Sequence, residues 1–167
     1  EIKRHLGDGG IGTVYLASHK VLERDVAIKF IPLIVKPGAI DPETLFQREA
    51  QVQAKLKHPN IVEALDGGIL ERRRENEDPI GYLVMEYVEG ETLRDILRAD
   101  GPLAPRQALT WMADVAAAMD FSHRAAIVHR DMKPANVMID RTGAVKVMDF
   151  GIARAMNDTS ATMTQTS

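Results

Sequence analysis

The sequence predicts an α+β chain in two parts, five antiparallel strands with one helix and then the start of a helical region. Three observations carry this. Strand-like stretches make up most of the chain up to Tyr87, with the alternation of faces clearest over Asp25–Pro32. A single helical stretch, with its own start signal at Asp41-Pro42-Glu43, interrupts those strands. Beyond Glu89-Gly90 the apolar spacing becomes helical, which sets the domain boundary there: 1–88, then 89–167.

Ile2–Leu6 and Thr13–Ser18 read as strands flanking a glycine-rich turn. Asp25–Pro32 is a third, with Val26, Ile28 and Phe30 on one face and Ala27 and Lys29 on the other. "KPGAI" is a loop. Asp41 is a helix N-cap and Pro42 stands at the first helical position, a place that needs no N–H donor. Leu45, Val52 and Leu56 form the apolar stripe of that helix, which "HPN" at 58–60 ends. Ile61–Leu70 and Ile80–Tyr87 are two further strands, joined by the charged connection "ERRRENED". Glu91–Arg98 is a short helix. Pro105–Ala125 is a long one, whose Leu109, Met112, Ala116 and Met119 recur at helical spacing and read as core. Val137–Asp140 and Ala144–Met148 form a small hairpin around Arg141–Gly143.

Composition narrows the chemistry. With 45% hydrophobic residues in 167, the chain is long enough for one ordinary core or two small ones. A net charge of -3 gives no electrostatic case for nucleic acid. The absence of cysteine excludes disulfides and thiolate metal sites, and fits a reducing compartment. Glu1-Ile2-Lys3-Arg4 does not read as a secretory leader. The apolar stretch 108–121 carries Asp114 and Asp120 and reads as an amphipathic helix, not a membrane span.

"GDGGIGTV" places glycines at 7, 9 and 12 before Val14. Such a turn lets backbone N–H groups approach a phosphate, although a plain glycine hairpin would look the same. A dinucleotide-binding reading needs a helix directly after Gly12, and "TVYLASH" reads as a strand instead. Lys29 in "VAIK" shares a strand face with the small Ala27, which suits a flat ring with phosphates further along. Glu49 falls within the apolar stripe of the first helix. A carboxylate there is costly unless paired, and Lys29 is the economical partner. "HRDMKPAN" and "MDFG" then supply Asp131, Asn136 and Asp149. Oxygen donors of this kind, with phosphates, suit Mg²⁺. Phosphoryl transfer further needs an acid at the acceptor hydroxyl, the part given to Asp131, with Asn136 and Asp149 as metal ligands. Lys133 is a positive charge near the transferred group. His129 and Phe150 read as packed structural residues.

Taken together and in this order, these residues resemble the protein-kinase signature set. Lys133, two residues after Asp131, follows the serine/threonine pattern. "HPNIV", "VMEYVEGETLRDIL" and "KVMDFGIARA" are most similar to bacterial eukaryotic-type (Hanks-type) kinases, notably the actinobacterial receptor kinases that carry PASTA repeats. The resemblance implies a protein-kinase-like fold, an ATP-binding β lobe with one helix and then a partial helical lobe. It implies ATP with Mg²⁺ or Mn²⁺ as cofactors and Ser/Thr residues of proteins as acceptors. Leu6, Val14, Ala27, Met138 and Met148 would border the adenine ring, with Met85 as gatekeeper and Glu86–Val88 as hinge. Thr164 and Thr166 would be autophosphorylated, a step that a kinase–kinase dimer would serve, and Arg130 would pair with the phosphate. The resemblance further implies a cytoplasmic domain whose parent is anchored by a segment outside this chain. Two departures stand out. Gln53, one turn after Glu49, occupies a position that is usually apolar in the family. The Ala-Pro-Glu motif and later helices are absent, so the chain holds roughly two-thirds of such a domain. A catalytically incompetent ATP-binding fragment is therefore the alternative to an active kinase. A small-molecule phosphotransferase sharing the fold is a more distant one.

Overall fold

The computed structural model describes residues 1–9, 12–21, 23–34, 41–70 and 77–150. Two compact units emerge. The first takes in the described residues of 1–54 and 64–87, the second 55–63 and 88–150.

The first unit is an antiparallel five-stranded sheet. Its strands are β1 (Ile2–Gly9), β2 (Gly12–His19), β3 (Arg24–Pro32), β4 (Ala64–Leu70) and β5 (Ile80–Glu86), in the order β1-β2-β3-β5-β4. Register on β3 is continuous on both sides, with Lys29 opposite Val14 of β2 and Leu83 of β5. Gly12 is required by packing, because a Cβ there would collide with the carbonyl oxygen of Phe30. Alternation on β3 places Val26 and Ile28 in a small apolar cluster with Ala17 and Val84. Phe30 continues that face through an edge-on contact with Tyr15, centroids 5.9 Å apart.

The helix α1 (Pro42–Gln53) starts where its cap signal places it. Asp41 Oδ2 accepts from the Thr44 N–H at 2.9 Å and from its hydroxyl at 2.7 Å. Its buried face is not the one read from the sequence. Pro42, Phe46 and Gln53 are buried, whereas Leu45 and Val52 are only half-buried. The helix is turned by roughly 80° from the predicted stripe, at about 100° per residue. Phe46 is the anchor. Its ring lies so close to Gly81 of β5 that a Cβ there would stand 2.8 Å from it.

The second unit contains β6 (Gly90–Thr92), α2 (Leu93–Asp100), α3 (Pro105–Arg124), a 3-10 turn (Pro134–Asn136), β7 (Val137–Asp140) and β8 (Val145–Val147). The expected hairpin is thus a three-stranded sheet in the order β6-β7-β8. Gly90 allows the third strand, since a Cβ would meet the Ile139 carbonyl. Asp140 shapes the β7–β8 turn by accepting from the N–H groups of Thr142 and Ala144 at 2.8 and 2.9 Å.

Residues 55–63 belong to this second unit, although the sequence boundary assigned them to the first. The Val62 N–H donates to the Val147 carbonyl and the Val147 N–H to the Asn60 carbonyl, both at 2.8 Å. Leu56 and Ile61 fill a core with Val115, Ala118, Val137, Ile139, Val145, Val147 and Phe150. Ile61 therefore forms a bridge to Val147, not the start of a strand. On α3 the inward face is Val115, Ala118 and Ser122. Of the four residues predicted as core, only Met119 packs there. Leu109 is 74% exposed and Met112 56%, and Ala116 is exposed as well.

Candidate active site

The clearest chemistry lies in the second unit, in the loop from His129 to Asn136. Met148, just past β8, ties it down with both of its backbone groups. Its N–H donates to the Asn136 carbonyl at 2.9 Å, and its carbonyl lies 2.9 Å from His129 Nε2. A carbonyl can only accept, so Nε2 carries the hydrogen and Nδ1 is an acceptor. Nδ1 meets the Asp131 N–H at 3.3 Å. The ring is 1% exposed and packs against Phe150 at a centroid distance of 4.6 Å. Burial, opposed by the bond to Met148, holds the His129 pKa below its ordinary value. His129 is a neutral strut, as expected, and not a base.

Asp131 and Lys133 are exposed, and Lys133 Nζ donates to Asp131 Oδ2 at 2.6 Å. That bond, followed by one from Asn136, holds the Asp131 carboxyl below the usual range, so it is ionised at neutral pH. Asn136 Nδ2 donates to the Asp131 carbonyl at 2.8 Å and to Oδ2 at 3.2 Å. Asn136 is buried, and its amide is fixed by these two bonds. Its Oδ1 is thereby turned to the other side, where a hard cation could use it. Asp149 follows Met148 directly, so the Met148–Asn136 backbone bond brings the two predicted metal ligands to neighbouring positions. Asp149 and Arg130 both have positive φ, 62° and 66°, uncommon for residues with side chains. Among the described residues no group of three or more His, Cys, Asp or Glu side chains could hold a metal alone. One amide and one carboxylate suit an ion that takes its remaining ligands from phosphate and water.

The other candidates divide between the two units. Lys29 is 4% exposed on β3, and Ala27, two residues earlier, faces Met85 in register. Met85 is buried on β5, followed by half-buried Glu86. Leu6, Gly7 and Val14 lie on the β1–β2 hairpin, half-buried, with Gly9 paired to Gly12 at its closed end. Val88, Met138 and Met148 belong to the second unit. Glu49 is half-buried on α1, yet it has no hydrogen-bond or ion-pair partner among the described residues. The Lys29–Glu49 pair expected from the sequence is therefore not formed. Gly151, Thr164 and Thr166 lie outside the described residues.

The protein kinase domain model matches residues 1–167. The chain belongs to the protein kinase family. It is 50% identical over 168 residues to serine/threonine-protein kinase PknB of Mycolicibacterium smegmatis, covering 99% of this chain and 26% of that protein. To serine/threonine-protein kinase PrkC of Bacillus subtilis it is 46% identical, covering 98% of this chain and 24% of that protein. It thus spans about a quarter of the length of these relatives. Among solved structures, Rad53 1-466 in complex with AMP-PNP matches with a TM-score of 0.74 at 29% identity, over 90% of this chain and 38% of that one. The expected kinase fold, with its five-stranded antiparallel sheet, is confirmed. No helix among the described residues is long and apolar enough to cross a membrane.

Proposed function

We propose that this chain is the nucleotide-binding and catalytic-loop portion of a serine/threonine protein kinase, which moves the γ-phosphoryl group of ATP to a protein hydroxyl. The observation that carries the reading is the Asp131–Lys133–Asn136 cluster, tied to the strand end that precedes Asp149. Asp131, ionised and exposed, orients the acceptor hydroxyl and accepts its proton. Lys133 holds that carboxylate and places positive charge beside the transferred group. Asn136 Oδ1 and the Asp149 carboxylate are the oxygen donors for Mg²⁺ or Mn²⁺. That ion, when bound, supplies charge neutralisation at the phosphates. Lys29 holds phosphate oxygens, and Glu49, unpaired among the described residues of this structure, is the carboxylate that pairs with it in the transferring state. Gly7, Gly9 and Gly12 offer backbone N–H groups to the phosphates. Leu6, Val14, Ala27, Met85, Glu86, Val88, Met138 and Met148 take the adenine. Thr164 and Thr166 are the acceptors within the chain, phosphorylated by a second copy, and the domain works in the cytoplasm.

Phosphate transfer from radiolabelled Mg-ATP to a generic protein substrate tests this, alongside binding of a non-hydrolysable ATP analogue. Asp131→Asn should lower transfer at least about 100-fold and leave analogue binding within twofold. Glu49 without a partner favours a second reading, a segment that binds the nucleotide but does not transfer phosphate. Binding without transfer selects it. No binding at all overturns both.

A further inference from the structure

The glycine hairpin carries a histidine and an acid that phosphoryl transfer does not call for. His5 Nε2 lies 3.3 Å from Asp8 Oδ1, both on β1. Three residues apart on a regular strand, the two side chains would point to opposite faces. The β1–β2 register shifts between His5 and Gly7, which leaves Leu6 as an extra residue against β2. Such a bulge reverses the alternation beyond it and brings His5 and Asp8 to one face. Tyr15 of β2 steadies the imidazole edge-on, with ring centroids 5.4 Å apart, and Phe30 of β3 steadies Tyr15. Other charges at this end of the sheet are engaged elsewhere: Lys3 of β1 with Asp25 of β3, and Arg4 with the Tyr87 hydroxyl. Asp8 is thus the charged group that meets His5 among the described residues. It also stands between Gly7 and Gly9, whose N–H groups are the donors for phosphate. A carboxylate there repels a triphosphate, since like charges a few ångströms apart repel even in water. We propose that His5 is a positioning residue of the phosphate turn. Protonated, it cancels the charge of Asp8 and holds that carboxylate on its own strand. Neutral, it leaves a full negative charge at the turn, so nucleotide binding weakens as pH rises. The inference rests on the nucleotide-binding reading and adds to it a residue outside the machinery named there.

Calorimetric titration of the full 167-residue chain with the Mg complex of a non-hydrolysable ATP analogue tests it, at low salt and at about pH 5.5 and about pH 8.5. Imidazole changes charge across that interval, whereas carboxylates are ordinarily ionised at both ends. Every variant shares the remaining histidines and the ligand with the parent chain, so their titration cancels in each comparison. His5 and Asp8 are exposed, so effects of a few-fold are expected. Asp8→Asn should bind about threefold tighter than the parent at the higher pH and within about twofold of it at the lower. His5→Gln should match the parent at the higher pH and bind about threefold more weakly at the lower. His5→Lys, which keeps a positive charge throughout, should hold the tighter binding at both. About 0.5 M salt should shrink all of these differences. If the parent and His5→Gln differ by the same ratio at both pH values, His5 acts only structurally; this inference is overturned and nucleotide binding stands. If no form binds the analogue at either pH, the nucleotide-binding reading fails and this inference fails with it.

Discussion

Met148 shows how much a single backbone can organise. Its N–H and carbonyl fix Asn136 and His129, and through them Asp131 receives one donor on its carboxylate and one acceptor for its N–H. His129 is the pH-sensitive part of this lattice. Its folded pKa is depressed below 6.5, chiefly by burial, and protonating Nδ1 would remove the acceptor for the Asp131 N–H. The neutral ring is the folded form. Its stability contribution is thus fully present above pH 6.5 and is lost as pH falls through the lower, folded value. Urea denaturation followed by circular dichroism, from pH 8 to pH 5, should show the midpoint falling on the acid side. In His129→Gln the slope below pH 6.5 should flatten; an identical slope would assign the dependence to other groups. The sequence reads His129 as a packed structural residue, and its burial agrees. Its acceptor role was not legible there, since the bond to Met148 that fixes the tautomer spans 19 residues.

At the level of elements, strands were easier to read than helix faces. A strand's alternation fixes both period and phase, so β3 has Val26 and Ile28 where the pattern puts them. A helix with apolar residues on two sides fixes only the period. On α3, Leu109, Met112 and Ala116 recur as regularly as Val115, Ala118 and Ser122. Packing selects the second set, turned by about 100°. On α1 the buried centre includes Gln53, which no hydrophobic pattern would pick. The consequence for α3 is measurable in urea. Leu109→Gln and Met112→Gln should each change unfolding stability by under about 0.5 kcal/mol. Val115→Ala, on the inward face, should cost about 2 kcal/mol. A cost near 2 kcal/mol for the outer pair would restore the face predicted from the sequence. The strand β6 went unread because three residues carry too little pattern. Gly90 is its hidden requirement: Gly90→Ala should cost about 1–3 kcal/mol through collision with Ile139, by the same assay.

For the whole molecule, the sequence located the change from strand to helix near residue 88 but missed that 55–63 joins the later unit. Nothing in the composition of "KLKHPNIVE" marks it. The side-chain amide of Asn60 donates to the Val145 carbonyl at 3.0 Å, a contact 85 residues away in sequence. Each unit consequently has a core of its own, around Val26 and Val84 in the first and around Val145 and Val147 in the second. Stability should divide along the same line, because cooperative openings follow contiguous packing. Val145, fully buried, probes the second core, and Val26, 2% exposed, probes the first. Hydrogen exchange on Val145→Ala should speed the amides of β7, β8 and α3 by about tenfold or more, and leave β2 and β3 within about twofold. Val26→Ala should do the reverse. If either variant accelerates both sets equally, the two cores open as one and a single unfolding free energy describes the chain. If they separate, residues 55–63 decide the assignment: their amides should follow Val145→Ala, although 10 or more residues on each side of them belong to the first unit.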